Sequence, residues 1–250
     1  MATTMPVPET QPQAAISPVG RIIGMFFSPG ATFADIVRRP SWILPLVLIV
    51  TLSTGAIVAL NSHFDWKSYM AQQIEKSPRA ANLSAEQKQQ QVEAGAKLSP
   101  IFAYVFGIPV PVIGLLAVTL ALWGAFNLMA GVGADFKTSW AIVTHAFVPA
   151  SVVGTLLFVL VLFLKPVGGF DLDNPVATNL AILLPEDASK WLAGLCKNAD
   201  LLEFWKIILL AIGFAAVNPK KLKGGKAFTI VLSTFLVYVV IRTAIAFVMS

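Results

Sequence analysis

Only 12% of the 250 residues are Asp, Glu, Lys or Arg, about half the roughly 25% that a soluble domain carries. A globule of this size could not cover its surface in water with so few charges, so an ordinary soluble fold is excluded. A single cysteine, Cys196, excludes an internal disulfide, and with two histidines, His63 and His145, no spacing reads as a zinc site. Also missing are a serine in a glycine-flanked elbow, a His-Glu-x-x-His pair, a phosphate-cradling glycine loop and an intramembrane pair of aspartates. Enzymatic chemistry needs groups that converge. The chain is expected to be no enzyme, with no catalytic residue, cofactor or metal.

What the chain has instead is apolar residues, 56% of the total, gathered in five runs at 42–60, 101–131, 140–164, 201–217 and 227–249. A helix rises about 1.5 Å per residue, so about 20 residues cross a hydrocarbon core about 30 Å thick. The pattern predicts an all-α fold, an integral membrane bundle of five transmembrane helices over 41–249, with extramembrane loops at 61–100 and 165–200. The run at 201–217 is the shortest, about 25 Å as a helix. It holds Glu203 and Lys206 in its first two turns, where they are expected to reach the interface.

Residues 1–17 have no Lys or Arg and no apolar core, so they read as a disordered cytoplasmic tail rather than a secretory signal. The amphipathic segment 18–40 carries two short apolar patches, too short to span. It either lies on the inner leaflet, apolar face down and arginines towards phosphates, or packs against the bundle. In the loop 61–100, Trp66, Tyr69, Met70 and Ile74 make a one-sided stripe, and Ser84 with Gln87 forms a capping box. A helical hairpin outside the bilayer is expected there.

The formal charge is +5, yet its placement argues for lipid and against nucleic acid. Arg38 and Arg39 precede the first run, and Lys220, Lys221, Lys223 and Lys226 crowd the link before the last. Basic residues at span ends suit anionic headgroups on the inner side of a membrane. Their density puts the N-terminus in the cytoplasm, and five crossings put the C-terminus on the opposite side.

Pro109 and Pro111 should kink the second run and Pro149 the third, since proline removes a backbone donor. Ala117, Ala121 and Ala125 repeat every four residues, a spacing that lets helices approach closely. Arg242 lies inside the last run, where a charge at the bilayer centre costs about 2.5–3.5 kcal/mol on insertion scales. It is expected to snorkel outward and form a structural ion pair with Glu203 or Asp200. Asn127, Thr144 and His145 make a candidate intramembrane polar cluster. A histidine there could relay protons, although a hydrogen bond to a neighbouring helix explains it more simply.

Three stretches carry a family resemblance. One runs from Arg21-Ile22-Ile23-Gly24 through Ser28-Pro29 and Phe33 to Pro40-Ser41-Trp42. The second is Asp200-Leu201-Leu202-Glu203-Phe204-Trp205 followed by Ile208 to Gly213, and the third is Thr144-His145-Ala146-Phe147-Val148-Pro149. Together they resemble the Yip-one domain family, membrane proteins named for interaction with Ypt/Rab GTPases, in its bacterial type. The resemblance covers most of 18–249 and implies five spans, a cytosolic N-terminus and a bacterial cytoplasmic membrane. Thr144 and His145 stand where the family has Gly-Tyr, and the Asp-Leu-Tyr-Gly-Pro motif of eukaryotic members is absent, so no GTPase contact is carried over.

The sequence therefore ranks first a non-enzymatic membrane adaptor or membrane-organising protein, with anionic lipid and a membrane-protein partner or second copy as partners. The alternative is a small-solute transporter or channel subunit using the proline-kinked second and third spans. A dry, packed interior would favour the first. A wet cavity reaching Asn127 and His145 would favour the second.

Overall fold

The computed structural model describes residues 15–166, 170–185 and 188–248. The expected tail lies almost wholly outside them. The described residues contain no strand; ten α-helices and two short 3-10 turns carry the fold. Four stretches are long and apolar enough to cross a membrane: α3 (Ile43–His63), the joined α5 (Ala85–Gly107) and α6 (Pro109–Ala130), α7 (Phe136–Leu164) and most of α10 (Gly224–Val248). The chain is a multi-pass membrane protein. The remaining apolar helix, α9 (Leu201–Val217), has 17 residues and is shorter than these.

α3 and α7 run side by side in the same direction. Trp42 meets Trp140 at one end, 6.3 Å between ring centroids, and His63 stacks on Phe163 at the other, 4.8 Å away. The Trp42 end also carries the α6–α7 turn and the α9–α10 link, joined where Lys221 Nζ donates to the Gly131 carbonyl at 3.4 Å. That turn is built by Gly131 and Gly133, with φ of 56° and 73°, values open to glycine without a Cβ penalty. Arg38, Arg39, Lys220, Lys221, Lys223 and Lys226 are all exposed, and the four lysines sit in or beside that link. This is the basic end.

At the opposite end, α4 (Trp66–Lys76) and the first half of α5 form a hairpin. Asp65 caps α4 by accepting from the N–H groups of Lys67 and Ser68, and the Ser84–Gln87 capping box opens α5. A Cβ on Gly95 would come within 2.5 Å of Met70 Cε, so the two helices touch there. The second run does not bend as one helix. α5 stops at Gly107, and Pro109 restarts the chain as the first residue of α6, where a missing N–H is harmless. Pro111 follows within that first turn. Pro149 instead lies buried inside α7, which continues through it.

Of the two arrangements open to residues 18–40, packing against the bundle is the one formed. α1 (Pro18–Phe27) and α2 (Pro29–Arg38) fold back on each other about Ser28. Gly24 permits the contact, for a Cβ there would lie 2.2 Å from Thr32 Oγ1. Met25, Phe33 and Ile36 are fully buried in the main core. The hairpin lies along α9: Phe26 packs edge-on to Trp205 at 5.9 Å, and Phe33 fills the space beside Gly213. Its outer face keeps an apolar stripe, Val19, Ile23 and Phe27, all more than half exposed.

Candidate intramembrane chamber

α7 serves as a depth ruler. From Trp140 to Phe163 it rises about 35 Å, somewhat more than the roughly 30 Å of α3 beside it. α9 runs antiparallel to it: Gly213 faces Ile142, Lys206 Nζ sits 4.8 Å over the Phe147 ring, and Leu202 touches Gly154. Phe147 lies about 10 Å from the Trp140 level and Gly154 about 21 Å. Glu203 and Lys206 are therefore near the middle of the ruler. Their depth follows from α9 beginning partway along α7, with α8 (Lys190–Asn198) and the Thr178–Asp200 contact completing the route.

Around this level a cavity of about 660 Å³ opens between α3, α6, α7, α9 and α10, within the few-hundred to thousand Å³ range of small-molecule sites. Its walls include Ile49, Leu115, Leu122, Leu210 and Val231, all buried. Its charged groups are Lys197, Glu203, Lys206 and Arg242. A second cavity of about 420 Å³ shares those four residues and Phe147 and Ser151, and adds Asp173, Asn179 and Asp200 from the 165–200 segment. The pair makes one chamber, oily inside and polar at its mouth.

Small residues leave the room. Ala117 and Ala121 line the larger cavity and stay exposed to it, so this part of the expected helix-packing stripe is a chamber wall. A Cβ on neighbouring Gly114 would meet nothing within 4 Å. Pro111 lines the same wall, and Phe147 and Ser151 flank the turn around Pro149.

The expected direct pairing of Arg242 with Glu203 or Asp200 is not formed. Arg242 Nη1 donates to Asn198 Oδ1 at 3.4 Å, a long contact. Glu203 is ion-paired with Lys206, one turn along its own helix, which reaches it without crossing between elements. Asp200 is occupied as the α9 N-cap, accepting from the N–H groups of Leu202 and Glu203 and from the Thr178 hydroxyl at 2.6 Å.

Nor do Asn127, Thr144 and His145 bond to one another. Asn127 closes the basic-end turn, donating to and accepting from Ala134 at 2.9 Å each way. Thr144 donates to the Trp140 and Ala141 carbonyls, and His145 Nδ1 lies 2.8 Å from the Ala141 carbonyl. Thr144 and His145 are satisfied by the backbone of their own helix one turn back, and Asn127 by the backbone of the turn after α6. None of the three lines the chamber.

Sequence reasoning missed two features. One is the chamber role of Lys197 and Asn198, which gave no signal because α8 reads as loop. The other is Arg21. It is 5% exposed, donates from Nε to Asp35 Oδ2 at 2.8 Å, and from Nη1 to the Arg39 carbonyl at 2.9 Å and Ser41 Oγ at 2.7 Å. A charge on the buried face of each of two short amphipathic helices was the available hint.

Stacked apolar helices around an oily chamber with a charged mouth define a polytopic helical membrane protein. A family model, the Yip1 domain, matches residues 23–244, and the chain belongs to that family. No curated protein and no solved structure matches it.

Proposed function

We propose that this protein is a non-enzymatic, solute-handling membrane protein, a transporter or channel subunit in type, and that the chamber is its working part. One observation carries the reading: a Glu203–Lys206 pair, midway along α7, lines with Lys197 and Arg242 a cavity of about 660 Å³ whose remaining wall is mostly apolar. Ionised groups within a membrane bundle are expensive, and they mark pathways or binding sites more often than scaffolding. The adaptor reading ranked first on sequence leaned on a packed interior, which the chamber weighs against. The solute reading survives with a different address, on α9 and α10 instead of Asn127 and His145. Pro111, just past the break between α5 and α6, borders the chamber, in keeping with broken helices at solute sites.

A membrane-organising role is the second reading. It is favoured by the exposed Val19, Ile23 and Phe27 stripe and by the six exposed arginines and lysines, which suit an anionic lipid surface. The same basic end supports an N-terminus in the cytoplasm of a bacterial cell, a fifth crossing by α9 and a C-terminus on the opposite side.

The test is accessibility. In a Cys196→Ser background, Ala121→Cys and Ser151→Cys should react with a charged, membrane-impermeant thiol reagent faster than Leu156→Cys, which is 64% exposed on the outside of α7. Equal, slow reaction at all three positions would leave the chamber dry and remove the solute reading.

A further inference from the structure

The geometry points to an amphipathic anion as the chamber's ligand: an unbranched hydrocarbon body with a carboxylate or phosphate head, its head held by Arg242 and Lys206. This rests on the solute-handling reading and names the class of solute. The inner cavity is lined by three cations, Lys197, Lys206 and Arg242, against one carboxylate, Glu203. Two positive charges are left in excess where the walls are oily and charge is weakly screened. A cationic or neutral polar solute would leave that excess unanswered.

The donors are available. Arg242 has five N–H groups in a fork suited to carboxylate and phosphate. Among the described residues its hydrogen bond is the long one to the neutral Asn198 amide. Lys206 is held by Glu203 on one side and by the Phe147 face on the other, which aims its ammonium without exhausting its three donors. Lys197 donates to the Asp173 carbonyl at 2.9 Å and adds charge at the mouth. Asp173 and Asp200 line only the outer cavity, where with Glu203 they match the same three cations. An anion bound on the inner side meets these cations away from Asp173 and Asp200.

The body of the ligand is set by the rest of the wall. Ala117 and Ala121 are exposed, Val118 and Phe235 are half-buried, and none of their side chains offers a hydrogen bond. An inorganic anion would leave them in contact with water, whereas an alkyl chain covers them at about 25 cal/mol per Å².

Full-length protein purified in an uncharged detergent should bind radiolabelled laurate saturably. Dodecyl phosphate should compete, and dodecanol, with the same chain and no charge, should compete poorly. Arg242→Gln should weaken binding by at least about tenfold, with Arg242→Lys recovering most of it, and Ala121→Trp should abolish it by filling the body site. Elution volume and thermal midpoint check that each variant is folded. A stronger competition by laurate or by dodecyl phosphate supports the proposal and identifies the head as a free acid or a phosphate. Equal competition by dodecanol, full displacement by inorganic phosphate, or wild-type affinity in folded Arg242→Gln would overturn it. If Ala121→Cys is wet but laurate does not bind, this inference fails and the solute reading stands. If Ala121→Cys is dry, both fall.

Discussion

The Arg21 guanidinium grips one oxygen of Asp35 twice, from Nε at 2.8 Å and from Nη2 at 2.7 Å, across fourteen residues of chain. Both side chains are almost wholly buried, and the same guanidinium holds the Arg39 carbonyl and Ser41 Oγ at the doorway to α3. One side chain thus ties α1, α2 and the first long helix into a single corner. Breaking a buried pair leaves the surviving charge without a partner. Asp35→Asn or Arg21→Met should each destabilise by about 3–5 kcal/mol, while the double replacement Arg21→Met with Asp35→Leu should recover much of the loss. Thermal unfolding in detergent measures all three, and strictly additive losses in the double variant would argue against the pair.

Gly213 and Gly55 should answer oppositely to alanine. At Gly213 a Cβ would sit 2.5 Å from Ile142 Cγ2 and 2.9 Å from Phe33 Cε1, so Gly213→Ala should cost about 1–3 kcal/mol through overpacking. At Gly55 nothing lies within 4 Å, so Gly55→Ala should gain up to about 1 kcal/mol from helix propensity. Midpoint shifts of the same sign would show that α2, α7 and α9 are not in close contact.

Asp135 caps α7, accepting from the Thr138 N–H at 2.8 Å and the Thr138 hydroxyl at 2.7 Å. These bonds, the hydroxyl's first, hold its carboxyl below the usual carboxylate range. A depressed value means the ionised form stabilises the fold. That stability is present above the unfolded-state pKa and is lost as pH falls through the lower folded value. Asp135→Asn keeps a competent cap without the titration, so its midpoint should fall less than the wild type's on acidification. Parallel acid profiles would contradict this.

The two ends of the bundle give a direct topology test. With Cys196→Ser, an impermeant label applied outside intact cells should reach Gln89→Cys in the α4–α5 hairpin and spare Lys223→Cys, both exposed positions. Labelling of both from the same side would refute an odd number of crossings.

The five apolar runs, the capping box at Ser84 and the break at Pro109 were legible because each depends on local pattern. Length and apolar composition mark a crossing, a Ser-x-x-Gln spacing marks a helix start, and proline marks a helix limit. The chamber was not legible. It exists because α9 starts beside Gly154 instead of at the level of Phe163, and register between distant helices is not written in any one segment. The same slip of register places Glu203 and Lys206 beside the middle of α7. Arg242 was singled out as a charge inside an apolar run, but its neighbour Asn198 comes from a helix too short and polar to be noticed.

The docked N-terminal hairpin also sets an order of events during synthesis. Phe26 and Phe33 leave the ribosome early, yet the surfaces they rest on, Trp205 and Gly213, are made almost two hundred residues later. Until then these aromatic side chains need temporary shelter, in the lipid itself or on a chaperone. The hairpin is made well before its seat and is among the last parts to settle.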